Sequence, residues 1–423
     1  MFFAPGRRKK IIGWVLYDFA NTSFSVIVVT VIYAIFFKQY ICADAKTVIW
    51  GKEIILGDFL WGLAGSLSML LVALTSPFFG TLADVTPHRK KLLFIYTYVA
   101  ISSTFLLFFL QPGMILVGIL LFIIGNIGFE GGIVFYNSYI PMLVEKKYYG
   151  RLSGLGFGVG YLGSLASLLI ALPIAMTSIE KADPGYMRYS FPLSALFFLI
   201  FSLPLFSWVK DDKANTTYQN LKQSLRTTYL TLLSTLKNLR KYPNVLIFLG
   251  AYFLYIDAVN TVIFFGGIYA KETLQFTMVE VIIFFAIIQS TAIVGSFIFG
   301  YITDKIGSKK TIFILLIMWI VIVLIGGFAT TKALFYLVGL LAGLGTGSIQ
   351  TTSRTLMTEI LPKNHEAEFF GFYALSGKIS SILGPGLFGL ISAFTGSQRF
   401  AVLSLSLFFI SGIFILRKLK YEI

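Results

Sequence analysis

Five ionisable side chains lie inside stretches that are otherwise apolar and long enough to cross a bilayer: Asp18, Glu130, Asp257, Arg354 and Lys378. A charged side chain in the membrane interior is costly unless it pairs with an opposite charge or contacts water. The two cations can neutralise at most two of the three carboxylates, so one carboxylate remains able to bind a proton. These residues predict ion pairing and proton binding inside a membrane.

Uncharged polar residues accompany these charges at helical spacing. In the first apolar stretch, Trp14, Asp18, Asn21 and Ser25 fall within about 60 degrees of one another on a helical wheel. Such a stripe is unfavourable against lipid, so we expect it to face the protein interior. The predicted substrate or proton pathway comprises Asp18, Asn21, Asn126, Glu130, Asn137, Asp257, Asn260, Gln350, Arg354 and Lys378.

Depth along the predicted helices suggests a role for each charge. Asp18 and Arg354 lie toward the same side of the membrane in opposite halves of the chain, which favours a gate pair. Glu130 and Asp257 lie near mid-depth, and we expect one of them to carry a coupling proton. The alternative is structural: Glu130 and Asp257 would make interhelical hydrogen bonds, and Asp18 would stabilise the start of its helix.

The sequence carries no motif of a soluble enzyme. It has no phosphate-binding loop with its lysine, no metal-ligand spacing, and two histidines, His88 and His365, both in predicted loops. The one cysteine, Cys42, excludes an internal disulfide and argues against a thiolate metal site. We therefore expect no enzymatic activity, no cofactor and no metal.

The composition is that of an integral membrane protein. Hydrophobic residues make up 57% of the 423 residues and charged residues 13%, with a mean hydropathy of +0.84. A soluble domain carries about 25% charged residues. The apolar runs are about 20 residues long and lack strand-like alternation, which predicts membrane-spanning helices. We interpret the basic start and the apolar run after it as a retained first helix, because the run is too long for a signal peptide.

A short polar loop occurs twice in the chain. Gly80 to Lys91 reads GTLADVTPHRKK and Gly300 to Lys310 reads GYITDKIGSKK, with both the glycines and the aspartates 220 residues apart (300 minus 80, 304 minus 84). Each copy lies between two apolar runs, so the chain has two halves built on one plan. The candidate gating residues are Gly80, Asp84, Arg89, Lys90, Gly300, Asp304, Lys309 and Lys310.

The positions of Asp84 and Asp304 are electrostatically unfavourable on their own. Each lies near the C-terminus of a predicted helix, where the helix dipole disfavours a carboxylate by up to about 1 kcal/mol. The basic residues of the loops, or the N-terminus of a neighbouring helix, could compensate, and Gly80 and Gly300 would let that neighbour approach. The alternative, an ordinary basic loop, explains the lysines but not the repeated spacing.

The net charge of +15 reflects topology. Threading twelve helices through a membrane places 24 of the 34 lysines and arginines on the side that holds both termini, with eight on the opposite side and two within helices. By the positive-inside rule both termini are expected in the cytoplasm, and we expect a bacterial inner membrane. Because the basic residues can contact anionic lipid, no nucleic-acid partner is expected.

The repeated loop resembles the signature between helices 2 and 3 of the major facilitator superfamily and its weaker copy between helices 8 and 9. The resemblance implies an all-α membrane protein with twelve transmembrane helices in two pseudo-symmetric six-helix bundles that move around a central site. Helices 1, 4, 7 and 10 line the cavity in that fold. These are the predicted helices that carry Asp18, Glu130, Asp257 and Arg354.

The composition changes abruptly between the two halves. We expect an N-terminal bundle at 1–209, a cytoplasmic linker at 210–243 and a C-terminal bundle at 244–423. In the linker, leucines and a tyrosine recur every three or four residues from Leu221, which predicts an amphipathic helix too polar to span a membrane. We expect this helix on the cytoplasmic membrane surface, and binding to a partner protein is the alternative.

A narrower resemblance covers nearly the whole chain. The segment Trp14 to Asn21, WVLYDFAN, resembles the W-x-x-Y-D-x-A-N opening of the vacuole effluxer (Atg22-like) family within that superfamily. Gln350 and Arg354, and the run from Phe369 to Tyr373, resemble that family too. Thr22 stands where the family pattern has serine, a conservative departure. Fungal members are described as vacuolar amino-acid exporters, so the resemblance implies amino-acid export.

Three functions compete. The first is a secondary carrier that moves a small polar solute by alternating access, with proton coupling and amino-acid efflux as its favoured form. The second is a non-transporting membrane sensor or scaffold, and the third is a membrane-embedded enzyme. Matched halves with inward charges favour the carrier, because alternating access needs two bodies that rock around one site. We expect a monomer in the bilayer.

Overall fold

The structure is a computed structural model that describes residues 2, 6–43, 45–49, 52–86, 88–210, 221–381 and 383–420. Within these residues, twelve helices are long and apolar enough to cross a membrane. The first six are Arg8–Ile41, Leu56–Val85, Arg89–Phe109, Ile115–Asn137, Lys146–Glu180 and Pro184–Trp208. The last six are Pro243–Glu272, Val279–Ile306, Ser308–Phe328, Lys332–Ile360, Glu366–Thr395 and Gln398–Arg417. We number them helix 1 to helix 12 in this order.

Each half of the chain packs around its own hydrophobic core. Trp14 and Tyr33 are fully buried in the core of helices 1–6, and Trp319 and Tyr255 are fully buried in that of helices 7–12. Many leucines, isoleucines and phenylalanines remain exposed on the outer surface, where lipid solvates them. The predicted all-α membrane fold of twelve helices in two six-helix bundles is confirmed.

Both ends of the helical array lie on one face of the protein. Helix 1 begins at Arg8 and helix 12 ends at Arg417, and an even number of crossings returns the chain to the side from which it started. We call this side the terminal face and the opposite side the distal face. The two repeated loops, after Val85 and after Ile306, lie at the terminal face.

Helix 1 departs from regular α-helical geometry in its distal half. It consists of the α-helical segments Arg8–Phe24 and Ile32–Phe36 and the π-helical segments Ser25–Thr30 and Phe37–Ile41. The Thr30 hydroxyl donates to the carbonyl of Ser25, five residues back, at 2.9 Å. Wider π turns often mark functional sites, and the first of these lies beside the central cavity.

Helix 11 is interrupted near its middle. Its first half ends at Ser380 and its second half begins at Leu383. Pro385 lacks the N–H group that a continuous helix would donate to the carbonyl of residue 381, and glycines flank it on both sides. The interruption therefore follows directly from this proline.

Shorter elements complete the fold. Two antiparallel strands, Lys46–Ile49 and Lys52–Ile55, form a hairpin between helices 1 and 2, with Lys46 opposite Ile55. Sequence periodicity did not predict this hairpin, because four residues are too few to show alternation. Helix 12 divides into Gln398–Ser404 and Ser406–Arg417. Helices 3, 5 and 6 include the 3-10 turns Leu107–Phe109, Lys146–Tyr148 and Pro184–Tyr189. The described helical segments outside the twelve helices are Ile140–Leu143, Leu221–Lys237 and Leu239–Lys241.

The helix between the bundles, Leu221–Lys237, packs against the protein through a stripe of polar side chains. Ser224 and Thr228 are buried, and the helix contacts helix 2. Leu225 and Tyr229 are exposed on an adjacent face. Residues 211–220, the first part of the predicted linker, lie outside the described residues.

Candidate functional site

Asp84, at the end of helix 2, contacts the start of helix 11 in the other bundle. Its carboxylate accepts hydrogen bonds from the backbone amides of Ala367 at 3.1 Å and Glu368 at 2.7 Å. Arg89 donates to Asp84 at 2.6 Å and also to Glu366 at 3.2 Å. The free amides of a first helical turn and one guanidinium therefore compensate this carboxylate together.

Asp304, at the end of helix 8, makes the equivalent contact with the start of helix 5. It accepts hydrogen bonds from the amides of Gly150 at 2.7 Å and Arg151 at 3.2 Å. The Nε atom of Arg151 also lies 3.2 Å from its carboxylate. We call these two contacts, around Asp84 and Asp304, the terminal latches.

Close approach of the backbones makes both latches possible. A Cβ atom on Gly80 would lie 2.2 Å from the carbonyl oxygen of Ala367, and one on Gly300 would lie 2.7 Å from that of Gly150. Both distances are too short for any side chain, so the helices could not meet in this way with another residue at either position.

The lysines of the second repeated loop do not pair with Asp304 among the described residues. Lys309 donates to the carbonyl of Leu419 at the end of helix 12, at 2.5 Å. Lys310 is exposed and Lys90 is half-buried. Among the described residues, the cation beside Asp304 is therefore Arg151, from outside the repeated loop, rather than Lys309 or Lys310.

A cavity of about 460 Å³ lies between the two bundles. Its walls come from helices 1, 4, 5, 7, 8, 10 and 11, and its volume suits a small polar solute. The predicted pathway residues that line it are Asp18, Asn21, Glu130, Asn137, Asn260, Gln350, Arg354 and Lys378.

Arg354 closes the end of this cavity nearest the terminal face. Its guanidinium donates to the Ser153 hydroxyl at 2.9 Å, to the Ser153 carbonyl at 2.7 Å and to Asn137 Oδ1 at 3.2 Å. Asp18 Oδ2 lies 3.5 Å from Nη1, and the centre of the Phe157 ring lies 3.9 Å from the guanidinium carbon. Four residues of the N-terminal bundle thus hold one arginine of the C-terminal bundle.

Glu130 and Lys378 form an ion pair in the middle of the cavity. Lys378 Nζ lies 2.5 Å from Glu130 Oε1, and the two side chains are 26% and 11% exposed. Water therefore reaches both partners, so the pair is easier to separate than a dry one.

The whole chain is similar to one known protein family. Residues 6–422 match the family described as vacuole effluxer Atg22 like. The chain belongs to that family. The uncharacterized MFS-type transporter YxiO of Bacillus subtilis (strain 168) is 28% identical over 408 residues, which cover 96% of this chain and 93% of that protein. Autophagy-related protein 22-1 of Penicillium rubens is 23% identical over 418 residues, which cover 79% of this chain and 70% of that protein.

A solved structure supports the fold. The MFS proton:xylose symporter XylE superimposes with a TM-score of 0.74 at 14% identity, over 99% of this chain and 95% of that chain. The resemblance to the major facilitator superfamily and to its effluxer family is confirmed. The chain is a multi-pass integral membrane protein of a transporter family.

Two predicted pathway residues of this Atg22-like protein lie outside the cavity. Asn126 is buried against helix 2, where its amide donates to the Ser68 hydroxyl at 2.9 Å. Asp257 is completely buried beside Gly384 in the second half of helix 11. Both share a helix with a cavity residue, but each faces a neighbouring helix of its own bundle. A helical wheel gives the angles between side chains around one helix. It does not show which neighbouring helix each face contacts.

The sequence analysis did not include several polar and aromatic residues that line the cavity. Tyr161 donates to Gln350 Oε1 at 3.0 Å, and Gln289 of helix 8 also lines the wall. Tyr252 and Tyr373 stack with ring centres 4.3 Å apart. Gln289 could have been predicted from the sequence, because it is a single glutamine within an apolar run.

The cavity of this Atg22-like protein opens toward the distal face. At its terminal end, Asp18 is 8% exposed and Arg354 is 2% exposed. Lys378 at mid-depth is partly exposed, and Thr30 and Ser381 beyond it are exposed. The described hydrogen bonds that join the bundles lie at mid-depth or in the terminal half. The terminal face is therefore the closed end of the cavity.

Proposed function

We propose that this protein is a secondary active transporter that moves a small polar solute by alternating access. The observation that carries the proposal is the Glu130–Lys378 ion pair, a partly wet pair in a cavity between two bundles that is closed at one face. A purely structural ion pair would be drier. Opening the latches at Asp84 and Asp304 while closing the distal face would carry the solute across.

The favoured solute is an amino acid, and the favoured direction is efflux. An amino acid carries one ammonium and one carboxylate, which match the charges of Glu130 and Lys378. Asn21 adds a buried amide nitrogen that has no hydrogen-bond partner within the described residues. Family membership supports the direction, because the family is described as vacuole effluxer Atg22 like.

Asp18 and Arg354 are proposed as a gate beside the latches. The two residues come from opposite bundles and lie at the closed end of the cavity. When the bundles separate at the terminal face, Arg354 must leave Ser153, Asn137 and Asp18 together. Asp18→Asn and Arg354→Gln variants with unchanged transport and unchanged access to the cavity would exclude this role.

Proton coupling is proposed through Glu130. A proton on Glu130 would release Lys378, and an ionised Glu130 would hold it, so protonation and solute binding would compete at one carboxylate. No enzymatic step, metal or cofactor enters this proposal. We also propose a monomer in a bacterial inner membrane with both termini in the cytoplasm and the domain boundaries at 1–209, 210–243 and 244–423, in line with the charge distribution.

The deciding experiment uses purified full-length protein in liposomes. Radiolabelled amino acids, sugars and organic anions are tested with and without an imposed pH gradient. We expect accumulation of one or more amino acids above that in protein-free liposomes, and stimulation by the gradient. Lack of transport across the panel, with a folded protein, would instead favour a non-transporting sensor or scaffold.

A further inference from the structure

The helix Leu221–Lys237, which we call the linker helix, turns a polar stripe inward and an apolar stripe outward. The buried stripe spans about 40 degrees of the helical wheel and consists of Ser224, Thr228 and Thr235. The next face carries an apolar stripe of the same width, whose members are 39%, 56% and 44% exposed: Leu225, Tyr229 and Leu236. The most apolar face of this helix is thus turned away from the protein.

This order of faces is the reverse of that on a helix in water. A surface helix of a soluble protein packs its apolar stripe against the core and leaves its polar stripe in the solvent. An apolar stripe that points away from the protein is unfavourable in water and favourable in contact with acyl chains. The order in the linker helix therefore favours a membrane as the medium on its outer side.

Positive charges border the apolar stripe. Arg226 and Lys237 lie about 90 degrees beyond it on the helical wheel, and both are exposed. Arg240 and Lys241, in the turn that follows the helix, are exposed as well. Residues 213–256 contain six lysines and arginines and no aspartate or glutamate, so no acidic residue of this part of the sequence offsets the charge. The charge of this surface is complementary to an anionic ligand.

We propose that the linker helix is a binding surface for the anionic phospholipids of the bilayer. Its exposed leucines and tyrosine enter the boundary between headgroups and acyl chains, and its arginines and lysines bind lipid phosphate groups. Apolar burial and electrostatic attraction add to each other in such interfacial helices. Each basic residue near an anionic membrane surface strengthens the binding further, so the four exposed cations act together.

A lipid surface fits this helix better than an acidic partner protein does. The linker helix contacts helix 2, and helix 2 exposes Leu70 and Leu74, by 48% and 62%, on the outer surface of the protein. The apolar surface of the linker helix thus belongs to an element that packs directly on a lipid-facing helix. An acidic protein remains the rival occupant, and the experiment below distinguishes the two.

The linker helix touches both bundles. It contacts helix 2 of the N-terminal bundle, and Leu232 packs against the core of helices 7–12. It also lies between the terminal ends of helices 6 and 7 along the chain. Lipid bound to this helix would therefore favour the arrangement in which the terminal face is closed. This consequence rests on the proposed transport, whereas the lipid-binding surface does not.

The test measures lipid binding to the purified full-length protein through a fluorophore on the linker helix. An environment-sensitive nitrobenzoxadiazole group is attached at Tyr229→Cys in a Cys42→Ser background, since Cys42 is the only cysteine of the sequence. Phosphatidylglycerol is titrated into detergent micelles, with phosphatidylcholine as the parallel series. We expect phosphatidylglycerol to raise the emission in a saturable manner at lower concentrations than phosphatidylcholine does. In nanodiscs, lipids with brominated acyl chains should quench the fluorophore.

Matched variants locate the lipid. The linker variant replaces four exposed cations by glutamine: Arg226, Lys237, Arg240 and Lys241. The control variant replaces four exposed lysines elsewhere on the terminal face by glutamine: Lys310, Lys363, Lys418 and Lys420. We expect the linker variant to lose about tenfold in apparent affinity for phosphatidylglycerol and the control variant to keep most of it. If the linker variant does not fold, added salt should weaken the binding of phosphatidylglycerol to the unsubstituted helix and leave that of phosphatidylcholine unchanged.

Three outcomes would overturn the proposal. Equal affinities for the two lipids would exclude recognition of an anionic headgroup. A linker variant that binds phosphatidylglycerol as tightly as the control variant would place the lipid elsewhere. Emission that stays as in water, without quenching by brominated lipids, would assign the apolar stripe to a partner protein. No readout needs a transported solute, so failure of this proposal and failure of the proposed transport are separable.

Discussion

Asp84 and Asp304 hold the same place in the two bundles, and each accepts a 2.7 Å hydrogen bond from the first turn of a helix in the opposite bundle. Asp84 meets helix 11 and Asp304 meets helix 5. One arrangement is thus used twice, once in each direction across the interface. Both latches lie at the closed face of the cavity, where they join the two bundles.

Neutralising both latches should shift the protein away from the distally open state. In the double variant Asp84→Asn/Asp304→Asn, each new asparagine side chain keeps one acceptor oxygen but loses the negative charge of the carboxylate. This loss costs about 1–2 kcal/mol per latch. We expect labelling of a Ser381→Cys reporter by an impermeant maleimide, in a Cys42→Ser background, to slow several-fold. Asp58→Asn is the control at an exposed carboxylate, and an unchanged rate in the double variant would contradict the latch role.

A methyl group at Gly80 should prevent the latch from closing. The added Cβ would lie 2.2 Å from a backbone carbonyl that cannot move aside, and such overpacking costs about 1–3 kcal/mol. We expect Gly80→Ala to lower Tm and to slow the labelling of the same reporter. Gly62→Ala is the matched control, because a Cβ there meets nothing within 4 Å. If the two variants have equal Tm values and equal labelling rates, close approach of the helices at Gly80 does not stabilise the latch.

The Glu130–Lys378 pair should behave as a coupled unit. Either Glu130→Gln or Lys378→Gln leaves one charge unpaired, and we expect a destabilisation of about 1–3 kcal/mol, less than for a dry pair because water reaches both side chains. The double variant should recover part of the lost Tm, while transport stays lost in all three. Additive losses in Tm would mean that the two residues do not interact in solution.

Arg354 should not be replaceable by lysine. The guanidinium makes three hydrogen bonds and lies over an aromatic ring, and an ammonium cannot reproduce this planar arrangement. We expect Arg354→Lys to lose about 2–3 kcal/mol of stability. Tm measurements beside Arg417→Lys, at the exposed end of helix 12, check this. If Arg354→Lys lowers Tm no more than Arg417→Lys does, the hydrogen bonds of Arg354 do not stabilise the closed end of the cavity.

His365 should make stability depend on pH. A hydrogen bond with the buried Glu368 carboxylate, 2.7 Å away, raises the pKa of His365, aided by the charges of Glu368, Asp84 and Glu366 and opposed by partial burial. A folded-state pKa above the unfolded value of about 6.5 means that the stabilisation is complete below that pH and is lost as pH rises through the raised pKa.

The measurement is the difference in Tm between the wild type and His365→Gln across the neutral range. We expect the wild type to be the more stable at low pH and the difference to shrink as pH rises. His88→Gln, at an exposed histidine, is the control variant. A difference that grows with pH would reverse the sign and exclude the pairing with Glu368.

Hydropathy and repeated spacing predicted most of the architecture. Twelve apolar runs fix twelve helices, because no other structure satisfies the backbone hydrogen bonds of a single segment in lipid. The 220-residue offset between Gly80 and Gly300 predicted two matched halves, since a short polar loop between apolar runs has few other reasons to recur. Charged and amide side chains in apolar runs identified eight residues of the cavity, four of each kind, because their burial needs compensation.

The tertiary structure alone decided which partner each of these residues meets. Arg151 beside Asp304, Ser68 beside Asn126 and Gly384 beside Asp257 come from distant parts of the chain. A sequence determines the face of a helix on which a side chain lies, because that depends on spacing along one helix. The neighbour that covers the face depends on how all twelve helices pack, and no local pattern records that.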